Sequence, residues 1–421
     1  MAVLRALING VWVDVGGGSG GPEEVFVGPA DPGVGAGYDL WYDTDAVNPA
    51  QTIMQIFPMR NLLDNGQHMI NQRLIGGNVV VGAANTFLAD RWACWNGGVG
   101  TVNLYHSTAA SFGVFPPAGR PRPGYIQSIQ MQVAEAAGSM AAGDWLYYKQ
   151  TVEGQNLQHL NWGSADAKPL TLSFDVYSPI ATTYVVEFER LETTARSLSK
   201  LLPVPAGFST QVITIPGDTV TAITNDSTGR LAVNFWLAAG STWTSGVLNT
   251  AWNNRVDANR VGGISNAWQA TVGAPVAFTN VQLEVGSIAT PYEVRRFDDE
   301  LARCMRYYEK SYAYGTIPGS NAGYQGSASC MLFDIAVPTR MRMTGVDFRV
   351  TKRTTPTYQA GWSTDGTIGY INAYNAPANK FQIAVYGAIS DRQWACDYMT
   401  LVTNAAASQY YHFHWAAGAE I

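Results

Sequence analysis

The chain has 421 residues, enough for two or three domains that each bury a core. Only 14% of residues are charged, against about 25% in ordinary soluble domains, while Gly (43), Trp (13) and Tyr (21) are abundant, a profile of short strands joined by glycine turns. A formal net charge of -6 and a pI near 5.4, with no basic cluster larger than Lys352-Arg353, exclude an electrostatic nucleic-acid binder.

The first fifty residues read as an extended segment. MAVLRALINGVWVDV (1–15) alternates apolar and polar residues around Asn9-Gly10, a hairpin signal, and lacks the uninterrupted apolar core of a signal peptide. No stretch of the chain is long and apolar enough for a membrane span. GGGSGGP (16–22) is a flexible linker by composition. VFVGPADPGVGAGYDLWYDTDA (25–46) follows, punctuated by Pro and Gly, with Leu40, Trp41 and Tyr42 as an apolar knob. Such a piece has too little apolar surface to fold alone.

Residues 51–312 read as many short strands. In LTLSFDVYSP (170–179), Leu170, Leu172, Phe174 and Val176 face one way. In LAVNFWLAAG (231–240), Leu231, Val233, Phe235 and Leu237 alternate with Ala232, Asn234, Trp236 and Ala238. This pattern between Gly, Pro, Asn and Asp turns predicts a sandwich. Near the end, Val281, Leu283 and Val285 alternate with Asn280, Gln282 and Glu284 as a half-buried strand, Gly286 stops it, and Thr290-Pro291 turns the chain. A helix is expected from about Asp298, running over 300–312. Leu301, Cys304, Met305 and Tyr308 would share one face, with Asp298 as cap and Arg303, Arg306 and Lys310 toward the negative end of the dipole.

Residues 313–421 are again β by pattern: Met331, Phe333, Ile335 and Val337, then Val346, Phe348 and Val350, then Phe381, Ile383 and Val385, and finally Tyr411, Phe413 and Trp415. Turns are expected at 363–366 and 375–379, and no short repeat suggests a β-helix or propeller.

The wording of several stretches goes beyond their periodicity. QLEVGSIATPYE (282–293) followed by ELARCMRYYEK (300–310) resembles the end of a jelly-roll module in bacteriophage tail and receptor-binding proteins. VFVGP followed by LWYDT resembles the N-terminal segment of minor tail proteins of phages infecting actinobacteria, and the terminal AGAEI resembles tail proteins that share the RYYEK helix. The order NLLDNG, SFDV, FWLA, FTNVQLEVG, over 61–312, resembles the jelly-roll carbohydrate-binding modules appended to xylanases. The resemblance implies an all-β chain: a virion-attachment segment (1–50, with Leu40, Trp41 and Tyr42), a jelly-roll β-sandwich (51–312) ending in a short linking helix, and a C-terminal β-sandwich domain (313–421). It implies a virion structural protein, a minor tail protein or tail fibre, made in the host cytoplasm and carried on the tail. Its partners would be other tail or baseplate proteins and a host-surface glycan, and it would be a homotrimer. In the enzyme-linked modules a calcium site accompanies an Asn-Gly-x-Phe-Glu opening and an Asp in the last strand. Here His68, Met69 and Asn280 stand at those places, so no calcium is carried over.

The four cysteines, Cys94, Cys304, Cys330 and Cys396, are far apart, without the spacing of a zinc site or disulfide framework, which suits assembly in a reducing compartment. A glycosidase needs two carboxylates about 5 to 10 Å apart, one of them with a raised pKa. The pairs Glu23-Glu24, Asp298-Asp299 and Glu187/Glu189 read more simply as linker, helix start and solvated strand face. His412 and His414 share a strand face without a third ligand, and His68, His106 and His159 are scattered, so no metal, cofactor or catalytic set is expected. Sugar sites combine an aromatic plate with amide donors and acceptors. Trp243, Asn249, Trp252, Asn253 and Asn254, in STWTSGVLNTAWNNR, form the best such cluster; Trp162 and Trp362 are further candidates. Competing readings are a non-adhesive capsid spike or tail-tip decoration, and a polysaccharide depolymerase.

Overall fold

A computed structural model gives the fold. It describes residues 60–73, 78–82, 85–108, 127–136, 139–331, 346–373, 376–388, 390–401 and 410–421, and four strands within the first fifty residues. Those strands are β1 (Arg5–Ile8) and β2 (Val11–Asp14), paired antiparallel, and β3 (Val25–Gly28) and β4 (Leu40–Asp43), paired parallel. Ile8 is opposite Val11 in the pairing of β1 and β2. Asn9, Gly10 and the linker 16–22 lie outside the described residues, as do the side chains of Leu40, Trp41 and Tyr42 on β4. The β3–β4 pairing gives strand partners to backbone that the sequence suggested was merely extended.

The middle of the chain is a two-sheet sandwich. Its strands are β5 (Asn78–Val80), β6 (Thr86–Phe87), β7 (Ala93–Gly97), β8 (Thr101–Thr108), β9 (Gln127–Glu135), β10 (Trp145–Glu153), β11 (Leu170–Ser178), β12 (Thr182–Arg190), β13 (Arg196–Val204), β14 (Gly207–Ile215), β15 (Gly229–Ala239), β16 (Asn253–Asn254) and β17 (Pro275–Val285). One sheet runs β16-β13-β12-β15-β10-β7-β6 and the other β14-β11-β17-β9-β8-β5. Every pairing in both is antiparallel. The inward residues are those the alternation selected: Leu170, Leu172, Phe174 and Val176 from one sheet meet Leu231, Val233, Phe235 and Leu237 from the other. Phe235 sits 5.1 Å from Phe174, edge to face, and 5.2 Å from Phe278. Such pairs add about 0.5–1.5 kcal/mol each beyond the area they bury.

Two outward faces differ from expectation. Trp236 is fully buried because residues 243–264 fold over it and Val185. Gln282 and Glu284, expected to face solvent, are buried beneath the turn that follows them. Glu284 accepts from the Thr290 amide (2.8 Å) and hydroxyl (2.6 Å), and Gln282 accepts from the Glu293 amide (2.8 Å). Asn280 has a φ of 52° at a register shift between β11 and β17, a conformation Asn tolerates at a bulge. Its amide donates to Asp175 (2.7 Å) and accepts from Gln67 (2.9 Å), so the side chain that replaces the modules' Asp bridges these two by hydrogen bonds.

Helix α1 spans Phe297–Met305, shorter than expected. Arg296 is its N-cap residue; Asp298 does not cap but pairs with Arg296 at 3.1 Å. Cys304 and Met305 are buried, Leu301 only partly, and Tyr308 leaves the helix for strand β18 (Tyr308–Lys310), which pairs with the last strand of the chain. The remaining strands are β19 (Ala328–Met331), β20 (Val346–Asp347), β21 (Tyr358–Ser363), β22 (Tyr370–Ala373), β23 (Ala376–Ala388), β24 (Gln393–Leu401) and β25 (Tyr410–Gly418). They form one sheet, β18-β25-β22-β23-β24-β20, with β19 and β21 also on β25. Tyr411, Phe413 and Trp415 are buried as the alternation predicted. Ala376 already opposes Ala373, so residues 376–379 of the turn expected at 375–379 are strand. Residues 332–340, with Phe333, Ile335 and Val337, lie outside the described residues.

This sheet is bound to the sandwich by part-buried polar contacts: Glu420 takes Arg73 (2.6 Å) and Arg91 (3.1 Å), and Arg306 forks onto Glu153 (2.7 and 2.8 Å). Within the C-terminal part, Lys352 pairs with Glu309 of β18.

Candidate functional site

The site lies on the long connection after β15. Ser241–Thr244 makes one helical turn, β16 adds two residues to the edge of the seven-stranded sheet, and a 3-10 turn over Asp257–Asn259 leads to Arg260. Arg260 holds this connection down. Its Nε and Nη2 donate to Glu187 at 2.8 Å each, and Nη2 reaches Glu189 at 3.2 Å. Trp236 Nε1 (2.9 Å) and Asn234 Nδ2 (3.0 Å) donate to the same Glu187 carboxylate. Burial opposes the charge of Glu189, but Arg260 and Arg255 outweigh it and hold the carboxyl below its usual range. Glu187 and Glu189 are thus buried and paired, not solvated as expected. A general acid needs the opposite shift from the one at Glu189.

The connection bears an open cleft of about 700 Å³ whose lining includes Val247, Asn249, Trp252, Asn253, Asn254 and Val256. Four of the sequence-selected residues therefore converge. Trp252 is half-buried: its indole nitrogen donates to the Pro216 carbonyl (2.9 Å) and its ring meets Trp162 edge to face at 5.3 Å. Asn253 and Asn254 are exposed. Asn249 is buried and structural in its bonding, donating to Ser197 Oγ (3.1 Å) and joining Ser199 and Asn259 through its backbone. Arg196 closes one side; it donates to Asp218 (3.0 Å), the Trp252 carbonyl (2.9 Å) and Asn254 Oδ1 (3.4 Å).

The other three selected tryptophans do not line the cleft. Trp162 is buried behind Trp252, with its nitrogen on the Lys168 carbonyl (2.7 Å) and Arg190 over its ring. Trp243 faces away, packed between Trp145 and Trp236 at 5.9 Å each, with its nitrogen on the Gly143 carbonyl (3.3 Å). Trp362 is buried on β21 in the C-terminal sheet, against Tyr312. In each case the indole is a packing residue.

Sequence reasoning also missed surface. Val247 and Val256 are exposed cleft residues with no pattern to flag them. On the open half of the same sheet, Trp95 and Tyr147 stack at 5.8 Å, Lys149 lies over Trp95, and the indole nitrogens of Trp95 and Trp145 have no partner. β7 is too short for its alternation to announce Trp95.

His412 and His414 are engaged elsewhere: His412 Nδ1 lies 3.1 Å from Ser327 Oγ, and His414 bonds Ser311 (3.2 Å) and the Gly323 carbonyl (3.0 Å). Among the described residues no group of three His, Cys, Asp or Glu side chains could hold a metal ion. Asp298 and Asp299 are exposed in the first turn of α1, and Glu23-Glu24 lie outside the described residues. Among the described residues no helix is long and apolar enough to cross a membrane.

No protein-family profile matches the sequence, and no curated protein matches it. Solved structures that match this chain in part include the family 11 carbohydrate-binding module of the cellulosomal cellulase Lic26A-Cel5E of Clostridium thermocellum, 11% identical, covering 52% of this chain and 99% of that one at a TM-score of 0.25. TmCBM61, solved in complex with β-1,4-galactotriose, is 10% identical and covers 54% of this chain and 99% of its own at 0.27. An arabinose-bound α-L-arabinofuranosidase is 11% identical and covers 59% of this chain and 30% of its own at 0.30. The class of the protein, an all-β chain with a two-sheet antiparallel sandwich, rests on its own strand pairings.

Proposed function

We propose that this chain is a non-catalytic glycan-binding adhesin of a bacteriophage virion. The observation that carries the binding half is the cleft at Trp252, Asn253 and Asn254: an aromatic side chain beside exposed amides, on a connection clamped by buried ion pairs. A sugar offers CH-rich faces and hydroxyls, which such a surface matches on a backbone already held in place. The virion half is supported by the resemblance of 282–310 and 25–44 to phage tail proteins. In this reading residues 1–50, with Leu40, Trp41 and Tyr42, dock on tail or baseplate proteins, and the adhesin is a homotrimer whose linked weak sites gain avidity at a cell surface.

The test is binding of the full chain to host cells and a glycan array, beside a Trp252→Ala variant shown by its melting curve to be folded at the assay temperature. Saturable binding lost in the variant supports the reading. A chain that binds neither cells nor glycans is instead a structural decoration of tail tip or capsid. Reducing ends released from host envelope would point to a depolymerase. A second location for the ligand, the Trp95–Tyr147 stack, is favoured by its two half-buried rings beside Lys149. Loss of binding in Trp95→Ala but not in Trp252→Ala would select it.

A further inference from the structure

We infer that the cleft takes an uncharged sugar bearing an N-acyl group, an acetamido sugar being the simplest; this rests on the reading of the cleft as a glycan site. Two observations carry it. The first is charge. Arg196 is the only ionisable residue among those lining the cleft; its charge is paired with Asp218, and three of its N–H donors go to Asp218, Asn254 and the Trp252 carbonyl. Behind it Arg190, Arg196 and Arg230 are matched by Asp218, Glu192 and Asp226 through contacts of 3.5 Å or less. A carboxylated or sulfated sugar finds no uncommitted guanidinium in the lining, and an amino sugar finds no carboxylate there. Either would lose hydration on entering without a partner to replace it.

The second is the placement of apolar surface. Val247 is 82% exposed and Val256 50% exposed, in a cleft whose other open side chains are Thr250, Ala251, Asn253 and Asn254. A plain hexose has only ring CH groups to set against the valines, and the Trp252 ring competes for the same face. An acyl methyl instead removes apolar area from water on both sides of the contact. Its amide N–H and C=O meet side-chain amides that carry one acceptor and two donors each. The Asn253 amide is bonded weakly within the loop, to the Ala251 carbonyl at 3.2 Å, and has further capacity.

The experiment is calorimetric titration of the full chain with three oligomers of one β-1,4 backbone: chitotriose, cellotriose and a glucuronate trimer. Chitotriose is expected to bind about tenfold or more tightly than cellotriose, the discrimination one apolar substituent gives, with the glucuronate trimer weakest. A Val247→Ser/Val256→Ser variant should bring chitotriose to within about twofold of cellotriose. Equal binding of chitotriose and cellotriose, both abolished by Trp252→Ala, overturns this inference and leaves the glycan reading intact. So does a chitotriose preference that survives the valine variant. No binding of any of the three, with an empty glycan array, overturns both.

Discussion

Arg260 and Glu187 form a fork, Nε to Oε1 and Nη2 to Oε2, both at 2.8 Å, with the carboxylate fully buried. The pair joins the cleft-bearing connection to the middle of β12, so the site is held by a strand that no ligand would touch. Arg260→Ala strands Glu187 as an uncompensated buried charge and should cost about 3–5 kcal/mol of stability. It should also raise amide exchange across 241–262 and weaken glycan binding. Chemical denaturation and hydrogen-exchange mass spectrometry check this. Unchanged protection in 241–262 would show that the connection holds without the fork.

Trp162 and Trp252 touch edge to face, yet their substitutions should separate. Trp162→Ala empties a buried indole site and should destabilise by about 3–5 kcal/mol. Trp252 is half-buried, so its replacement should cost less stability but weaken glycan binding by about 2 kcal/mol or more. Melting curves and titration of the two variants give the contrast; equal loss of stability in both would make Trp252 a core residue.

What the sequence revealed of this arrangement follows from how local each signal is. The inward faces of β11 and β15 were legible because each is a run of four alternating apolar residues. Burial of Trp236, Gln282 and Glu284 was not, because the segments that cover them arrive from outside their strands. Tyr308 continues the helical spacing of Leu301, Cys304 and Met305, but Tyr308–Lys310 is claimed by Ala416–Gly418 at the far end of the chain, and a long-range ladder overrides propensity. Asn249, Trp252, Asn253 and Asn254 could be found together because one short loop carries them. Single tryptophans such as Trp162 and Trp362 carry no sign of whether they line a site or fill a core.

Asp90 and His68 should give stability slopes of opposite sign in mild acid. Burial is the main effect on Asp90; it outweighs Arg73 and Gln72, and the carboxyl rises from its usual 3.8 to about 6. The folded state therefore holds a proton that the unfolded chain has released, and Asp90's contribution to stability is full below about pH 4 and lost as pH rises through about 6. His68 is buried with neither ring nitrogen bonded, and burial, aided by His106, holds its imidazole well below 6.5. Its unfolded form takes up the proton first, so stability falls as pH drops below 6.5. Melting temperatures of Asp90→Asn and His68→Asn across pH 4 to 7 should each lack one slope; Asn suits the φ of 56° at position 68. A His68→Asn curve parallel to the wild type would exclude the histidine's part.

Lys352 and Glu309 are both fully buried and meet at 2.5 Å, with Lys352 also donating to the carbonyls of Met305 (2.6 Å) and Val350 (2.7 Å). Glu309 lies on β18, directly after α1, so this pair ties the end of the helix to the loop that precedes β21. Burial lowers the lysine pKa, and Glu309 acts against that by favouring the charged form. Removing one partner leaves the other charge in a dry site, so Lys352→Met alone should cost about 3–5 kcal/mol. Lys352→Met with Glu309→Gln removes both charges and should recover much of that loss, although two carbonyls still lack their donor. The double-mutant cycle, read by urea denaturation, isolates the pair. A coupling near zero would mean that the carbonyl bonds of Lys352, and not its ion pair, fasten the C-terminal sheet to the helix.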